Sequence, residues 1–134
     1  MRKQRTSAMI ATLLAVGAGT LVAPAGAQAH ESPGATLQLS METGKDSGGD
    51  RSAVTLDCNP SGGSHPEADS SCTSLEAVGG RFADLPTRGQ VCTMEYRPVT
   101  VRASGRWDGE TVDYTEEFAN PCIAADSTDG VFGF

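Results

Sequence analysis

Apolar residues recur at every second position in two early segments of the chain. These apolar positions are Leu37, Leu39 and Met41 in the first segment and Val54, Leu56 and Cys58 in the second. A period of two is typical of a strand with one buried face. The polar residues 44–50 between the two segments predict a turn or loop. The pattern therefore predicts two neighbouring strands.

The pair Asp108-Gly109 predicts a hairpin further along the chain. Both positions of a two-residue hairpin turn need positive φ, which Asp-Gly accepts well. The apolar positions flanking this turn are Val99, Val101 and Ala103 before it and Val112, Tyr114 and Phe118 after it. We therefore expect a strand from residue 99 that returns over residues 111–118. Residues 131–134 at the end of the chain predict a short closing strand.

Residues 71–78 predict a helix of about two turns. Thr73 and Glu76 have the spacing of a capping box, and Gly79-Gly80 follow as a stop signal. The preceding residues 59–71 are rich in Gly, Pro and Ser, which predicts a surface loop. His65 lies alone in this loop and is expected to be solvated.

Together these elements predict the α+β class. We expect a single antiparallel sheet of about five strands with one or two short helices and two disulfides. No internal repeat is visible in the sequence.

The N-terminus has the features of a secretory signal peptide. Three basic residues, Arg2, Lys3 and Arg5, precede an apolar segment over residues 8–23 and then small residues. We place cleavage after Ala29, with Ala27 as the next choice. The predicted domains are thus a signal peptide over residues 1–29 and one folded domain over residues 30–134. The apolar segment is too short for a retained membrane anchor, since a span needs about 20 residues.

The cysteines support an extracellular location. All four lie in the predicted mature part, at Cys58, Cys72, Cys92 and Cys122. In an oxidising compartment they predict two disulfides, and the spacing leaves three pairings open. A zinc site is not expected, because no two cysteines have the C-x2-C spacing and the two histidines lack ligand spacing. No cofactor is expected.

The charge of the mature part excludes two classes of partner. Removing the three basic leader residues from the 10 Lys and Arg leaves seven against 17 Asp and Glu, a formal charge of −10. Such a surface repels nucleic acid and anionic membranes.

Catalysis is the least favoured of the function classes. Asp46-Ser47-Gly48-Gly49 copies the sequence around the nucleophile of trypsin-like proteases. A catalytic triad acts only as a geometric set, however, and His30 is the sole histidine upstream. We interpret this segment as a turn and the protein as no enzyme.

Met94 raises the main functional question. It lies between Cys92 and Pro98, with the polar neighbours Thr93 and Glu95. Methionine usually fills gaps in a core. Polar neighbours instead favour a displayed side chain.

The mature sequence resembles the subtilisin-inhibitor family of secreted Streptomyces proteins, which are small dimeric inhibitors of serine proteases. The resemblance covers nearly the whole mature domain in order. The residues that carry it are Arg51 to Cys58, Ser64-His65-Pro66, Cys72 to Gly80, Thr87-Arg88-Gly89, Cys92 to Val99, Gly105 to Gly109, Tyr114, Phe118 to Cys122 and Val131 to Phe134.

The resemblance implies a reactive bond between Met94 and Glu95, with Met94 as the P1 residue and Glu95 as P1′. It implies that Val91, Cys92 and Thr93 occupy P4, P3 and P2. Tyr96 and Arg97 complete the reactive loop on the other side of the bond.

The resemblance also implies which residues support this loop. Cys58 pairs with Cys72 and Cys92 with Cys122, and Asn120 braces the loop from behind. Pro98 restricts the backbone just after the loop. The implied partners are a subtilisin-like extracellular protease and a second copy of the chain.

Two positions depart from the family pattern. The family commonly has Pro at P2 and an apolar residue at P1′, where this chain has Thr93 and Glu95. These departures bear on which proteases are inhibited. A secreted adhesion or ligand-binding β domain is the alternative function, because disulfides and hairpins would suit it equally.

Overall fold

The computed structural model describes residue 26, residues 34–44 and residues 49–134. The predicted leader apart from Gly26, its cleavage site and residues 46–48 of the protease-like sequence lie outside these ranges. Residues 31–134 form one compact unit, to which all the elements below belong.

This unit contains a five-stranded antiparallel sheet. The strands are β1 (Ala35–Thr43), β2 (Arg51–Cys58), β3 (Gly62–Gly63), β4 (Val99–Trp107) and β5 (Glu110–Phe118), in the order β3-β2-β1-β4-β5. Leu37, Leu39 and Leu56 are buried, whereas Gln38 is exposed, as a period of two requires. The predicted α+β fold class is confirmed.

Two helices pack with the buried side of the sheet. They are α1 (Ala68–Ala77) and α2 (Pro121–Ser127), and a single 3-10 turn follows α1 at Phe82–Asp84. Leu75 of α1, Ala124 of α2 and Phe82 of the 3-10 turn join one apolar core with the sheet. Cys58 on β2 is bonded to Cys72 on α1, which fixes this helix covalently to the sheet.

The hairpin between β4 and β5 turns at Asp108-Gly109, as predicted. Asp108 has φ 46° and Gly109 has φ 84°, so both turn residues lie in the left-handed region. Val112, Tyr114 and Phe118 of β5 are half-buried against the core.

Helix α1 starts earlier than predicted. It begins at Ala68, which places Thr73 inside the helix, where its Oγ1 donates to the main-chain oxygen of Asp69 at 2.9 Å. The expected capping box is therefore wrong, because Thr73 bonds backward within the helix. The predicted stop is confirmed: the N–H of Gly80 donates to Leu75 O at 2.8 Å, and Gly80 has φ 75°.

His65 is buried, contrary to the expectation of a solvated side chain. Its side chain is 6% exposed, its Nε2 lies 2.9 Å from Val131 O, and its Nδ1 accepts the Glu67 N–H at 3.0 Å. Its ring also meets Phe134 edge to face. The neighbouring residues 63–64 and 66–67 are exposed as predicted, and His65 alone is buried against the C-terminal residues, which the polar composition gave no reason to expect.

The C-terminal residues 131–134 form a turn and an irregular end, so the predicted closing strand is wrong. The N–H groups of Val131 and Gly133 donate to Thr128 O and Gly130 O, both at 2.9 Å. These amides are therefore engaged in turns and do not join a sheet. Phe132 is nonetheless fully buried beside Phe82. The fifth strand is instead the two-residue β3.

Candidate functional site

Residues 91–97, called the exposed loop below, form a segment of the compact unit with several highly exposed side chains. They have no regular secondary structure. Val91 is 98% exposed, Met94 92% and Tyr96 74%, and these three are the exposed large hydrophobic residues among those described. Met94 is therefore a displayed side chain and not a core residue.

The exposed loop is tied to helix α2 by a disulfide. Cys92 is bonded to Cys122, with a Cα–Cα distance of 5.7 Å. Both disulfides thus have the pairing that the resemblance implies. Cys92 lies two residues before Met94, so the chain is fixed close to the most prominent side chain of the loop.

Asn120 holds the loop on both sides of Met94. Its Nδ2 donates to Thr93 O at 3.1 Å and to Glu95 O at 2.9 Å. Its Oδ1 accepts the N–H of Ile123 at 2.9 Å and so caps helix α2. Asn120 is 3% exposed, which leaves its amide little freedom to move. One side chain therefore links the start of α2 to the backbone around Met94.

The chain that follows the loop is also fixed. The Arg97 N–H donates to Ala119 O at 2.9 Å, and Pro98 O accepts the Gly44 N–H at 3.1 Å. Strand β4 then starts at Val99. The bond from Gly44 joins this stem to the end of β1.

The chain before the loop is held by Asp126 of α2, which bonds to Gln90. Neither residue was predicted from the sequence as part of the site. The Gln90 N–H donates to Asp126 Oδ1 at 2.8 Å, and the Arg88 N–H donates to Asp126 O at 3.0 Å. The Gln90 side chain reaches Cys122 O at 3.5 Å. No local sequence signal connects Asp126 with Gln90, because the two residues are 36 positions apart.

Apart from the bond from Gly44, these attachments lie in residues 119–126, called the support segment below. It contributes Ala119, Asn120, Cys122 and Asp126. Its first residues directly follow β5, and α2 contributes Ala124 to the core. The shape of the exposed loop is therefore fixed mainly from this one segment, with a further bond from Gly44 to its stem.

Other kinds of site find little support among the described residues. Within residues 34–44 and 49–134, no three His, Cys, Asp or Glu side chains are grouped so that they could bind a metal ion. No helix in the described part has the length and apolar character needed to cross a bilayer.

The fold and the loop define a small disulfide-bonded protein that presents a constrained peptide. The sequence model described as subtilisin inhibitor-like matches residues 33–120, about two thirds of the chain. The chain therefore belongs to the subtilisin inhibitor-like family.

Relatives with assigned names agree with this membership. The protease inhibitor SIL-V1/SIL-V4 of Streptomyces netropsis is 49% identical over 96 residues, covering 69% of this chain and 86% of that protein. The subtilisin inhibitor of Streptomyces violaceus is 40% identical over 129 residues, covering 83% of this chain and 88% of that protein.

A solved structure shows a similar fold. The crystal structure of Streptomyces caespitosus sermetstatin in complex with Bacillus licheniformis subtilisin matches with a TM-score of 0.58 and 28% identity. The match covers 75% of this chain and 98% of that one.

Proposed function

We propose that this protein is a secreted inhibitor of subtilisin-like serine proteases that binds through the Met94–Glu95 bond of the exposed loop. The single observation that carries the proposal is the pair of hydrogen bonds from Asn120 to Thr93 O and Glu95 O. They fix the backbone around Met94, whose side chain is 92% exposed. The fold match to an inhibitor bound to subtilisin supports the choice of protease class.

Binding is favoured because the loop is ordered before it meets the protease. A protease binds an extended peptide with the P1 side chain in a pocket, and a flexible peptide loses affinity through the ordering of its chain. Here the disulfide and Asn120 have already restricted that chain. Complexes of this kind bury about 1,600 Å² in total and are among the tightest known.

The same attachments explain why the loop resists digestion. If the Met94–Glu95 bond is cut, Thr93 and Glu95 remain bonded to Asn120, so the new termini stay together. The new amine at Glu95 is then at high effective concentration, which favours re-formation of the peptide bond. Hydrolysis becomes slow and reversible.

A titration of subtilisin with the purified mature protein tests the proposed function. We expect residual activity to fall linearly to near zero at about one equivalent, because the complex is tight. Reduced and alkylated protein is the control and should behave as a substrate. A subtilisin activity that stays unchanged at a large excess of the native protein would refute the proposal and favour an adhesion or ligand-binding role.

Replacement of Asn120 can separate its role in holding the loop from its role in capping α2. In Asn120→Ser the hydroxyl can still cap α2, but it has a single donor on a shorter side chain and cannot replace both bonds to Thr93 O and Glu95 O. We expect inhibition to weaken roughly tenfold or more, since two hydrogen bonds around the reactive bond are lost. The comparison variant Asn120→Ala should inhibit as poorly as Asn120→Ser and should also lose about 1 kcal/mol of stability from the cap. Inhibition constants and thermal melts measure both effects; a Ser variant that inhibits like the parent would contradict this role.

The protein is proposed to pair with a second copy of itself. The apolar side chains of β4 are used within the protomer, since Val99 and Val101 are 1% and 0% exposed. The apolar side of β4 therefore belongs to the core, and the face left open carries Thr100, Arg102 and Ser104. We expect the dimer to form through this polar face. Light scattering at micromolar concentration should give twice the protomer mass, and a clean monomer would refute the dimer.

The first 29 residues are proposed to be a leader that is removed on export. Two disulfides in the compact unit support an oxidising destination. The intact mass of the secreted protein identifies the new N-terminus, which we expect at His30.

A further inference from the structure

Asp126 makes two bonds to the chain that precedes the exposed loop. Its Oδ1 accepts the Gln90 N–H at 2.8 Å and its main-chain oxygen accepts the Arg88 N–H at 3.0 Å. The two acceptors on one residue hold alternate amides of residues 88–90. They restrain the main chain of residues 88–90. This segment precedes the residues that are fixed by the Cys92–Cys122 disulfide and by Asn120.

The needs of helix α2 do not explain an aspartate at this position. Asp126 lies in the last turn of α2, where the helix dipole disfavours a negative charge. Nearby Arg88 directs its guanidinium elsewhere, to Asp129 at 3.4 Å and Glu67 at 3.7 Å. The partner of the Asp126 carboxylate is instead the main-chain N–H of Gln90, and a hydrogen bond to a charged group is stronger than one between neutral groups.

The side chains on either side of Gln90 contribute little to the order of this segment. Gly89 has φ 75°, and no atom lies within 4 Å of the position a Cβ would take. Val91 is 98% exposed, so its side chain makes almost no contact that could order it. The Gln90 side chain contacts Cys122 O at 3.5 Å and Cys122 Sγ at 3.2 Å, and the bond to Asp126 is the attachment of its main chain.

We propose that Asp126 is a positioning residue that extends the preformed part of the exposed loop back to Val91, and so sets the contact of Val91 with the protease. This inference rests on the proposed function, because Val91 has a protease contact only if the loop is the inhibitory one. Asn120 orders the backbone at the reactive bond, and Asp126 orders the P4 end.

The test compares Asp126→Ala with Asp126→Asn. The asparagine oxygen can accept the same N–H, whereas alanine removes the acceptor. The matched control is Glu76→Ala, which removes one exposed acidic charge from α1, the helix that packs against β2 and β3. We measure inhibition of subtilisin, hydrogen exchange at the Gln90 and Val91 amides, and thermal melts for each protein.

The expected result for Asp126→Ala is roughly tenfold weaker inhibition and faster exchange at both amides, from the loss of one charge-assisted bond. Asp126→Asn keeps a neutral hydrogen bond and should lie between the parent and Asp126→Ala, whereas Glu76→Ala should match the parent. Val91→Ala should weaken inhibition in the parent but add little in the Asp126→Ala background, because a misplaced Val91 has little contact left to lose.

Each outcome decides between the two claims. If the parent protein inhibits and Asp126→Ala inhibits equally well, the positioning role is overturned and the proposed function stands. If Val91→Ala has the same effect in both backgrounds, Asp126 is merely structural and the positioning role fails. If the parent protein does not inhibit, the proposed function fails and the inference fails with it.

Discussion

Met94→Lys is expected to turn the protein into an inhibitor of trypsin. The pocket of trypsin ends in a carboxylate, which the long apolar side chain of methionine leaves without a partner. A lysine ammonium forms a charge-assisted bond worth about 1.5–3 kcal/mol, which corresponds to a gain of about 10- to 150-fold in affinity. Inhibition constants for trypsin and subtilisin measure the gain and the accompanying loss against the apolar subtilisin pocket.

The control for this experiment is Val91→Lys. It adds the same charge to the same loop at a position that is equally exposed, but three residues from the reactive bond. It should gain nothing against trypsin. Melting temperatures of both variants should stay close to that of the parent, because an exposed side chain contributes little to stability. A Met94→Lys variant that gains no trypsin inhibition would show that Met94 is not the residue that enters the pocket.

Removal of the loop disulfide is expected to change the inhibitor into a substrate. In the variant Cys92→Ser with Cys122→Ser, the residue two positions before Met94 is no longer fixed to helix α2. The cut ends can then separate, and the advantage of effective concentration is lost. Mass spectrometry should detect rapid cleavage between Met94 and Glu95, and inhibition should disappear as cleavage proceeds.

The pair Cys58→Ser with Cys72→Ser is the matched comparison. This disulfide is buried, with Cys58 0% and Cys72 2% exposed, and it joins β2 to α1. Either disulfide contributes roughly 3 kcal/mol or more to stability, so stability alone does not separate the two variants. At a temperature where both are folded, only the Cys92/Cys122 variant should be digested. If that variant still inhibits and stays intact, rigidity of the loop does not depend on the disulfide.

The strands could be predicted because their periodicity reflects burial on one face. Leu37 and Leu39 are buried and Gln38 is exposed, which is the pattern read from the sequence. The Asp108-Gly109 turn was equally predictable, because its backbone needs two residues that tolerate positive φ. Both features depend on neighbours in the chain.

The parts that could not be predicted depend on contacts between distant residues. His65 is buried against the C-terminal residues and contacts Val131, 66 residues away. No local pattern reports such a contact. Residues 131–134 have the composition of a strand, but their amides are taken by turns that follow α2. Asp126 was missed for the same reason, since its partner Gln90 lies 36 residues earlier.

The side chains displayed by the exposed loop and most of the residues that fix its shape lie in different parts of the chain. This division affects how such an inhibitor can acquire new protease targets. Apart from the Cys92 disulfide, the bonds that shape the loop are made by main-chain atoms of Thr93, Glu95 and Arg97, so they do not require particular side chains at those positions. Met94 itself buries almost nothing against the rest of the protein. Selection for new protease targets can therefore exchange the displayed side chains one at a time, without passing through poorly folded intermediates.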